Sequence, residues 1–443
     1  MAISAVRRRS LSSYLTYGYL GLLYFIEGVP YGMQDKLLPQ YLRSESFSYG
    51  KVALARILLI PWVCKPLYAS HIEQYWTQKR WLQTFLALLT VVSCLMSFFA
   101  QSTMVLVTSL LIVNVISASF DVSVDCVAMD LLHGSELVMG NAVQVAGYKV
   151  GAIVGGGFLL LLQVAFGFKG VLQGLCAMYA FGLIVVTFWK YGIDGKSSQD
   201  DGKVNNLPKA VVRDDEKRSI RKRSPKENAS KRDGDDVPEM KRYGVLQRLR
   251  WAVSVEGTWG LLIFLALYKS GEYGIVTTYP SFLLDKGHSY AVIGILNGLA
   301  AQVISLVGTL SIVAFSQNLR KAKFNLLRLC IARLVPSAAI VATDMGVLSS
   351  TAEMYAGIVS LLLLSFISGM VTTIAFTIMM ECSRNTPQGF KSTHFSLLCT
   401  VEVLGKLAFS ILVGPLVDTV GKAPTHLVMT LLMGASVITV RFL

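Results

Sequence analysis

Apolar stretches of about twenty residues recur along the whole chain, broken by short polar joints and one long polar tract. Six lie before the tract, over roughly 14–41, 50–70, 81–100, 104–131, 140–164 and 168–190. Six follow it, over roughly 256–284, 290–316, 324–343, 352–380, 391–416 and 423–442. Runs of that length match a hydrocarbon core of about 30 Å when helical. A helix is also the form that pairs its own backbone groups inside lipid. The pattern predicts an all-α membrane protein with twelve transmembrane helices in two six-helix halves. The expected organisation is a short N-terminal segment (1–13), a first half (14–190), a linker (191–250) and a second half (251–443).

Charge is concentrated where the apolar pattern stops. Of the 41 Lys and Arg, 16 fall between Asp194 and Arg250, as do 11 of the 27 Asp and Glu. That tract holds too few apolar residues to bury a core of its own and reads as a disordered linker. With twelve spans and a cytosolic N-terminus, Arg7–Arg9, Lys79–Arg80, the linker, Arg320–Lys323, Arg384–Lys391 and Arg441 share one side. Basic residues accumulate on the cytoplasmic side of membranes, so both termini and the linker are expected in the cytosol. Asn228 matches a glycosylation acceptor only if the linker instead faces a lumen. The same distribution accounts for the net charge of +14 and argues against nucleic acid, which calls for a basic patch on a soluble fold. The seven cysteines lie in or beside apolar runs without CxxC spacing, so neither a disulfide framework nor a zinc site is expected.

Traces of a duplication support the two halves. PQYLRSESFSYGKVAL, from Pro39, aligns with PSFLLDKGHSYAVIGI, from Pro280, and Tyr31-Gly32 precedes the first as Tyr273-Gly274 precedes the second. Parallel repeats about an axis along the membrane normal would leave such matches.

Ionisable residues deep in the spans are the candidate chemistry, because each costs at least about 2.5 kcal/mol to insert and normally faces a polar site. Glu27 sits in YFIEGVPYGMQ, where Gly28, Pro30 and Gly32 loosen the first helix. Asp121 and Asp125, in SFDVSVDCVAMD, are four apart and share a face. Lys149, after Tyr148 in the next span, is their nearest cation in sequence. Gly147, Gly151 and Gly155 around it form a small-residue stripe suited to close helix approach. Lys269 and Glu272 stand three apart in the seventh span, and Glu402 and Lys406 four apart in the eleventh. Arg56 is a further deep cation and Arg333 a shallower one. Intrahelical self-pairing is the plain alternative for the second-half charges, and an Asp–Lys lock between helices for the first. The hydroxyls of Thr373 and Thr377 are expected to bond backbone. His394 reads as a satisfied surface residue rather than a proton relay. No metal spacing, ATP motif or nucleophile–base pair appears, so neither an enzyme nor a cofactor is expected.

GVPYG, IPWVCKPLYA, SFDVSVDCVAMD and GNAVQVAGYKVGAIVGGG together resemble the acetyl-coenzyme A transporter branch of the major facilitator superfamily. The resemblance implies alternating access around a site between the halves, with acetyl-CoA as a candidate solute. It places the family's Asp-x-x-x-Asp on Asp121 and Asp125, its Tyr-Lys on Tyr148 and Lys149, and its Glu-x-x-x-Lys on Glu402 and Lys406. The chain departs from that pattern at Phe120 and Glu27, where relatives carry Gln. It also departs in LYASHIE, where the acidic gate anchor is either displaced to Glu73 or missing. Three functions follow as expectations. The first is transport of an organic anion, with Arg56, Lys149, Lys269 and Lys406 facing it. The second is proton-coupled carriage of a peptide- or sugar-like solute, with Glu27, Asp121 and Asp125 carrying protons. The third is a non-transporting sensor or scaffold.

Overall fold

A computed structural model describes residues 2–34, 38, 58, 60–99, 103–132, 136–189, 244–285, 296, 299–315, 319–346, 350–386 and 390–443. Arg56, Asn228 and linker residues 191–243 lie outside the described residues.

The first half comprises α1 (Ala2–Gly32), α2 (Ile60–Val63), α3 (Lys65–Ile72), α4 (Gln78–Phe98), α5 (Thr103–Leu131), α6 (Glu136–Ile153) and α7 (Leu159–Phe188). The second comprises α8 (Val245–Val253), α9 (Thr258–Tyr268), α10 (Ser270–Asp285), α11 (Ala301–Phe315), α12 (Leu319–Ala332), α13 (Leu334–Asp344), α14 (Ser350–Arg384), α15 (Lys391–Val420) and α16 (Lys422–Thr439). Helix is found in each of the twelve stretches read from the apolar pattern, and no strand occurs among the described residues. Eight helices among these residues are long and apolar enough to cross a membrane, and nine with the bent pair formed by α8 and the α9–α10 segment.

Several spans are broken, and local sequence explains where. A π-turn over Val154–Phe158, the glycine-rich VGGGF, carries α6 into α7. Gly167, at φ 67°, then separates the fifth span from the sixth. The seventh span breaks at Lys269, between α9 and α10, and the ninth at Arg333, between α12 and α13. Pro336 accounts for the second break, since it lacks an N–H and its ring crowds the carbonyl four residues earlier. The helix Val245–Val253 begins inside the tract expected to be disordered. Arg248 and Ala252, four apart, are buried on its common face; high charge density hid this one amphipathic turn.

The glycine stripe fixes the α1–α6 crossing. A Cβ at Gly151 would lie 2.2 Å from the Phe25 carbonyl oxygen, and one at Gly28 would lie 2.1 Å from that of Tyr148. Only residues without a side chain permit backbones so close. The crossing holds the Glu27 turn of α1 against the Lys149 turn of α6. At the end of the molecule where the linker leaves, Lys79 Nζ donates to the Trp189 carbonyl (3.1 Å) and Lys323 Nζ to that of Leu443 (2.5 Å).

Candidate functional site

Two clusters of buried charge face each other across the boundary between the halves. In the first half, α1 supplies Tyr24 and Glu27, one turn apart, and α5 supplies Asp121 and Asp125, also one turn apart. The break between α2 and α3 places Lys65 opposite them. Its ammonium pairs with Asp121 and lies 4.7 Å from the Trp62 ring centroid. Asp125 Oδ1 accepts from Tyr24 Oη (2.8 Å) and Gln144 Nε2 (3.2 Å). Glu27, 4% exposed, adjoins Asp121 within hydrogen-bonding reach and lies near Lys65 and Asp125.

In the second half, Tyr268 Oη donates to Glu402 (3.1 Å), which also pairs with Lys406 at 2.7 Å. Glu272 accepts from Ser368 Oγ (2.5 Å) and faces Arg333 at 3.7 Å. Arg333 is fully buried. Its guanidinium donates to the Tyr268 carbonyl oxygen (2.6 Å) and to Ser436 Oγ (2.5 Å). That carbonyl precedes the break in the seventh span, so the arginine also satisfies an acceptor near the broken turn. Lys269 stands at the break near Lys406, Glu402, Glu272 and Arg333.

Lys149 joins the halves. Its ammonium donates to Ser305 Oγ (2.6 Å), Thr309 Oγ1 (3.1 Å) and the Ser305 carbonyl (3.3 Å), all on α11. Lys269 and Glu272 both lie within electrostatic reach of it. Cys399, one turn before Glu402, is within electrostatic reach of Lys65, Asp121, Asp125 and Glu402. The two clusters are therefore neighbours.

At the linker end, Glu73 clasps the start of α15. Its carboxylate accepts from the backbone N–H of Ser392 (2.5 Å) and Thr393 (3.1 Å), from Thr393 Oγ1 (2.7 Å) and from Arg248 (3.3 Å). A carboxylate at a helix N-terminus satisfies free amide donors and complements the helix dipole. Burial nevertheless pushes the Glu73 carboxyl above its usual value, against the pull of these donors.

Sequence order misassigned several pairs. Lys149 is the nearest cation in sequence to Asp121 and Asp125, but Lys65 is the one that pairs, because the broken second span delivers it across from α5. Glu272 faces Arg333, brought from the ninth span, rather than Lys269 three residues away. Glu402 and Lys406 do pair within their helix, as their spacing predicted. His394 is fully buried, between Thr258 Oγ1 (2.9 Å) and Ser383 Oγ (2.8 Å), and not at the surface. Thr373 and Thr377 bond the Gly369 and Thr373 carbonyls as expected (3.0 and 2.8 Å). Tyr148 is half-buried with its ring centroid 5.3 Å from that of Tyr31. Lys65, Tyr24, Gln144 and Tyr268 were not singled out from sequence. The breaks at CKP and KSG were the available signal for Lys65 and Tyr268.

An all-helical bundle with broken spans and charged residues at the junction of two halves defines a polytopic membrane protein of transporter architecture. The sequence signature of the Major Facilitator Superfamily matches residues 20–390, and the chain belongs to that family. An uncharacterized protein of Haemophilus influenzae is 22% identical over 64% of this chain and 63% of its own length, so the match spans just under two thirds of that relative. The anhydromuropeptide permease of Escherichia coli K12 is 22% identical over 92% of this chain and 75% of its own length. Among solved structures, the E. coli fucose:proton symporter FucP superposes with a TM-score of 0.67 at 14% identity, covering 97% of this chain and 99% of that one. The human organic anion transporter MFSD10 gives 0.69 at 13% identity with the same coverages. At these identities the two structures establish the fold alone.

Proposed function

We propose that the protein is a secondary transporter that moves an organic anion by alternating access and couples that movement to protons. The observation that carries this reading is the opposite charge imbalance of the two clusters. Around the second-half site stand four cations, Lys149, Lys269, Arg333 and Lys406, with two carboxylates, Glu272 and Glu402. Among the described residues the hydrogen-bond partners of Lys149 are neutral oxygens, which leaves it able to pair with a negatively charged solute. Among the described residues, the first-half site has one ammonium, Lys65, for the three carboxyls of Glu27, Asp121 and Asp125. Buried charges without counter-ions are costly. Two of those carboxyls therefore need protons or another cation, and a proton is the smallest cation that fits a packed site.

Acetyl-coenzyme A enters as a candidate only through resemblance. YKSGEYG and THFSLLCTVEVLGKLAFS look most like major facilitator superfamily domain-containing protein 3 of the acetyl-CoA transporter branch. A second reading, proton-coupled carriage of a peptide- or sugar-like solute, draws on the first-half carboxyls and on the anhydromuropeptide permease. The Lys and Arg asymmetry supports a cytosolic linker and termini, and Glu73 then closes the cytosolic side. A protease site near Ser219 would be cut from the cytosolic side only.

Uptake into proteoliposomes separates the readings. Anionic solutes should compete with one another, uncharged sugars should not, and an imposed pH gradient should change the initial rate. Equal competition by uncharged solutes would remove the anion reading, and indifference to the gradient would remove the proton coupling.

A further inference from the structure

On α12, the first part of the ninth span, burial and exposure divide around the helix. Ala322, Leu326 and Cys330, at spacings of four, are fully buried. Lys323 turns to the same side, where its Nζ donates to the Leu443 carbonyl (2.5 Å), and α14 and α16 pack against this side. The opposite face carries Lys321, Phe324, Arg328 and Ile331, all exposed. Val335, in the first turn of α13, follows at 69% exposure. Spacings of three and four set these side chains in one row.

In a bundle that spans a membrane, a row on the outer face of a span meets lipid. Phe324, Ile331 and Val335 suit that surrounding. Arg328 does not suit it at its own depth, because a guanidinium in hydrocarbon is costly. A long basic side chain lowers the cost by laying its stem along the helix and its charge towards the headgroups. Arg328 does this. Its guanidinium carbon lies 4.0 Å from the Phe324 ring centroid, so the side chain runs back one turn, about 6 Å, towards the linker end. The charge is thereby brought to the level of Phe324, one turn below Lys321. Contact with the ring uses the face of the guanidinium, whereas its N–H donors lie in the plane, at the edge.

We propose that Lys321, Phe324 and Arg328 bind the phosphate of an anionic phospholipid in the leaflet at the linker end, with its acyl chains along Ile331 and Val335. The order of polarity along the row is that of the lipid itself: ammonium, guanidinium, then apolar side chains. The planar guanidinium matches two phosphate oxygens at once. Lys321, one turn further out, meets the rest of the headgroup, which selects against a lipid whose own headgroup carries an ammonium. On the flank of the row, Asn325 Nδ2 donates to the Phe315 carbonyl (3.1 Å), the last residue of α11. A lipid held here therefore lies beside the joint between α11 and α12 and steadies it. The inference rests on the chain spanning a bilayer and stands without the proposed transport function.

The test is native mass spectrometry of the full-length protein released from detergent with phosphatidylglycerol or phosphatidylcholine added, with thermal unfolding followed in the same mixtures. Phosphatidylglycerol should bind at least fivefold more tightly than phosphatidylcholine and raise the unfolding temperature further. Arg328→Gln should weaken its binding about tenfold, the order of one charge-assisted hydrogen bond. Arg328→Lys, which keeps the charge but loses the two-oxygen match, should fall between. If Arg328→Gln does not fold, Lys321→Gln and Phe324→Leu should each weaken the binding several-fold. Equal binding of the two lipids would overturn the proposal. So would phosphatidylglycerol held as tightly by the double variant Lys321→Gln with Arg328→Gln as by the native chain. Equal stabilisation by inorganic phosphate alone would also overturn it, by showing a site for free anions rather than lipid.

Discussion

Each half carries a tyrosine on its first span that reaches a buried carboxylate, Tyr24 to Asp125 and Tyr268 to Glu402. Beyond that shared contact the halves diverge. Among the described residues, the first surrounds its tyrosine with acids and one ammonium. The second surrounds its own with four cations and uses one of them, Arg333, to occupy a broken turn. In the first half the breaks bring a charge to the site. In the second they create an acceptor that a charge must fill. The two halves thus differ in the charges they place around their tyrosines, although each sets its tyrosine on its first span.

The sharpest way to break this comparison is to remove one cation from each half. Arg333→Met leaves Glu272 without its counter-charge and the Tyr268 carbonyl without a donor, a loss of about 3–5 kcal/mol. Folded yield in detergent should collapse at every pH. Lys65→Met should also destabilise, but less as pH falls, because carboxyls that carry protons no longer need the ammonium. Thermal unfolding from pH 5 to 8 reads both, and equal pH-independent losses would erase the distinction between the halves.

Next in size is the effect of Asp125→Asn. The variant keeps an acceptor for Tyr24, so the protein should fold and bind solute within a few-fold of the native affinity. A pH gradient should no longer accelerate uptake. Preserved acceleration would move the coupling to Glu27 and Asp121.

Lys149→Gln should weaken anion binding by about tenfold, the order of one charge-assisted hydrogen bond of about 1.5 kcal/mol. The double change Glu402→Gln with Lys406→Met removes a self-neutralised pair and should shift affinity by less than threefold. Direct binding measurements on both rank the two lysines, and the reverse ranking would place the anion against Lys406.

Smallest is the effect of Glu73→Ala on solute binding itself. It strips the Ser392 and Thr393 amides and Arg248 of their common acceptor, a cost of about 1–3 kcal/mol to the closed linker end. A cysteine placed at Thr400 should become more reactive from the linker side, while binding to the central site changes little.

The breaks in the spans and the pairing of their charges show where sequence reading stops. Gly167 and Pro336 could be read as interruptions, because φ above zero and a missing N–H are properties of single residues. The pairing could not. Lys65 and Asp121 are 56 positions apart, and nothing in either local sequence marks the other. Lys149 and Asp125 looked like partners because their spans are consecutive, but the close α1–α6 crossing turns Lys149 towards α11. His426 is similar: it lies one turn into an apolar helix with no neighbouring acid, and Asp344, which its Nδ1 contacts, arrives from a helix that ends more than 80 residues earlier.

What the sequence determined by itself was the solvent and the scaffold. Apolar runs of about twenty residues select helices across a bilayer, and glycine every fourth residue selects close crossings. These are local or periodic properties, and backbone hydrogen bonding in lipid leaves little else open. The tertiary structure alone decided which charges meet. In a medium that cannot solvate them, buried ions are placed by whichever opposite charge or polar oxygen the packed helices bring within about 3 Å. That proximity depends on where spans break and how helices cross, not on order along the chain.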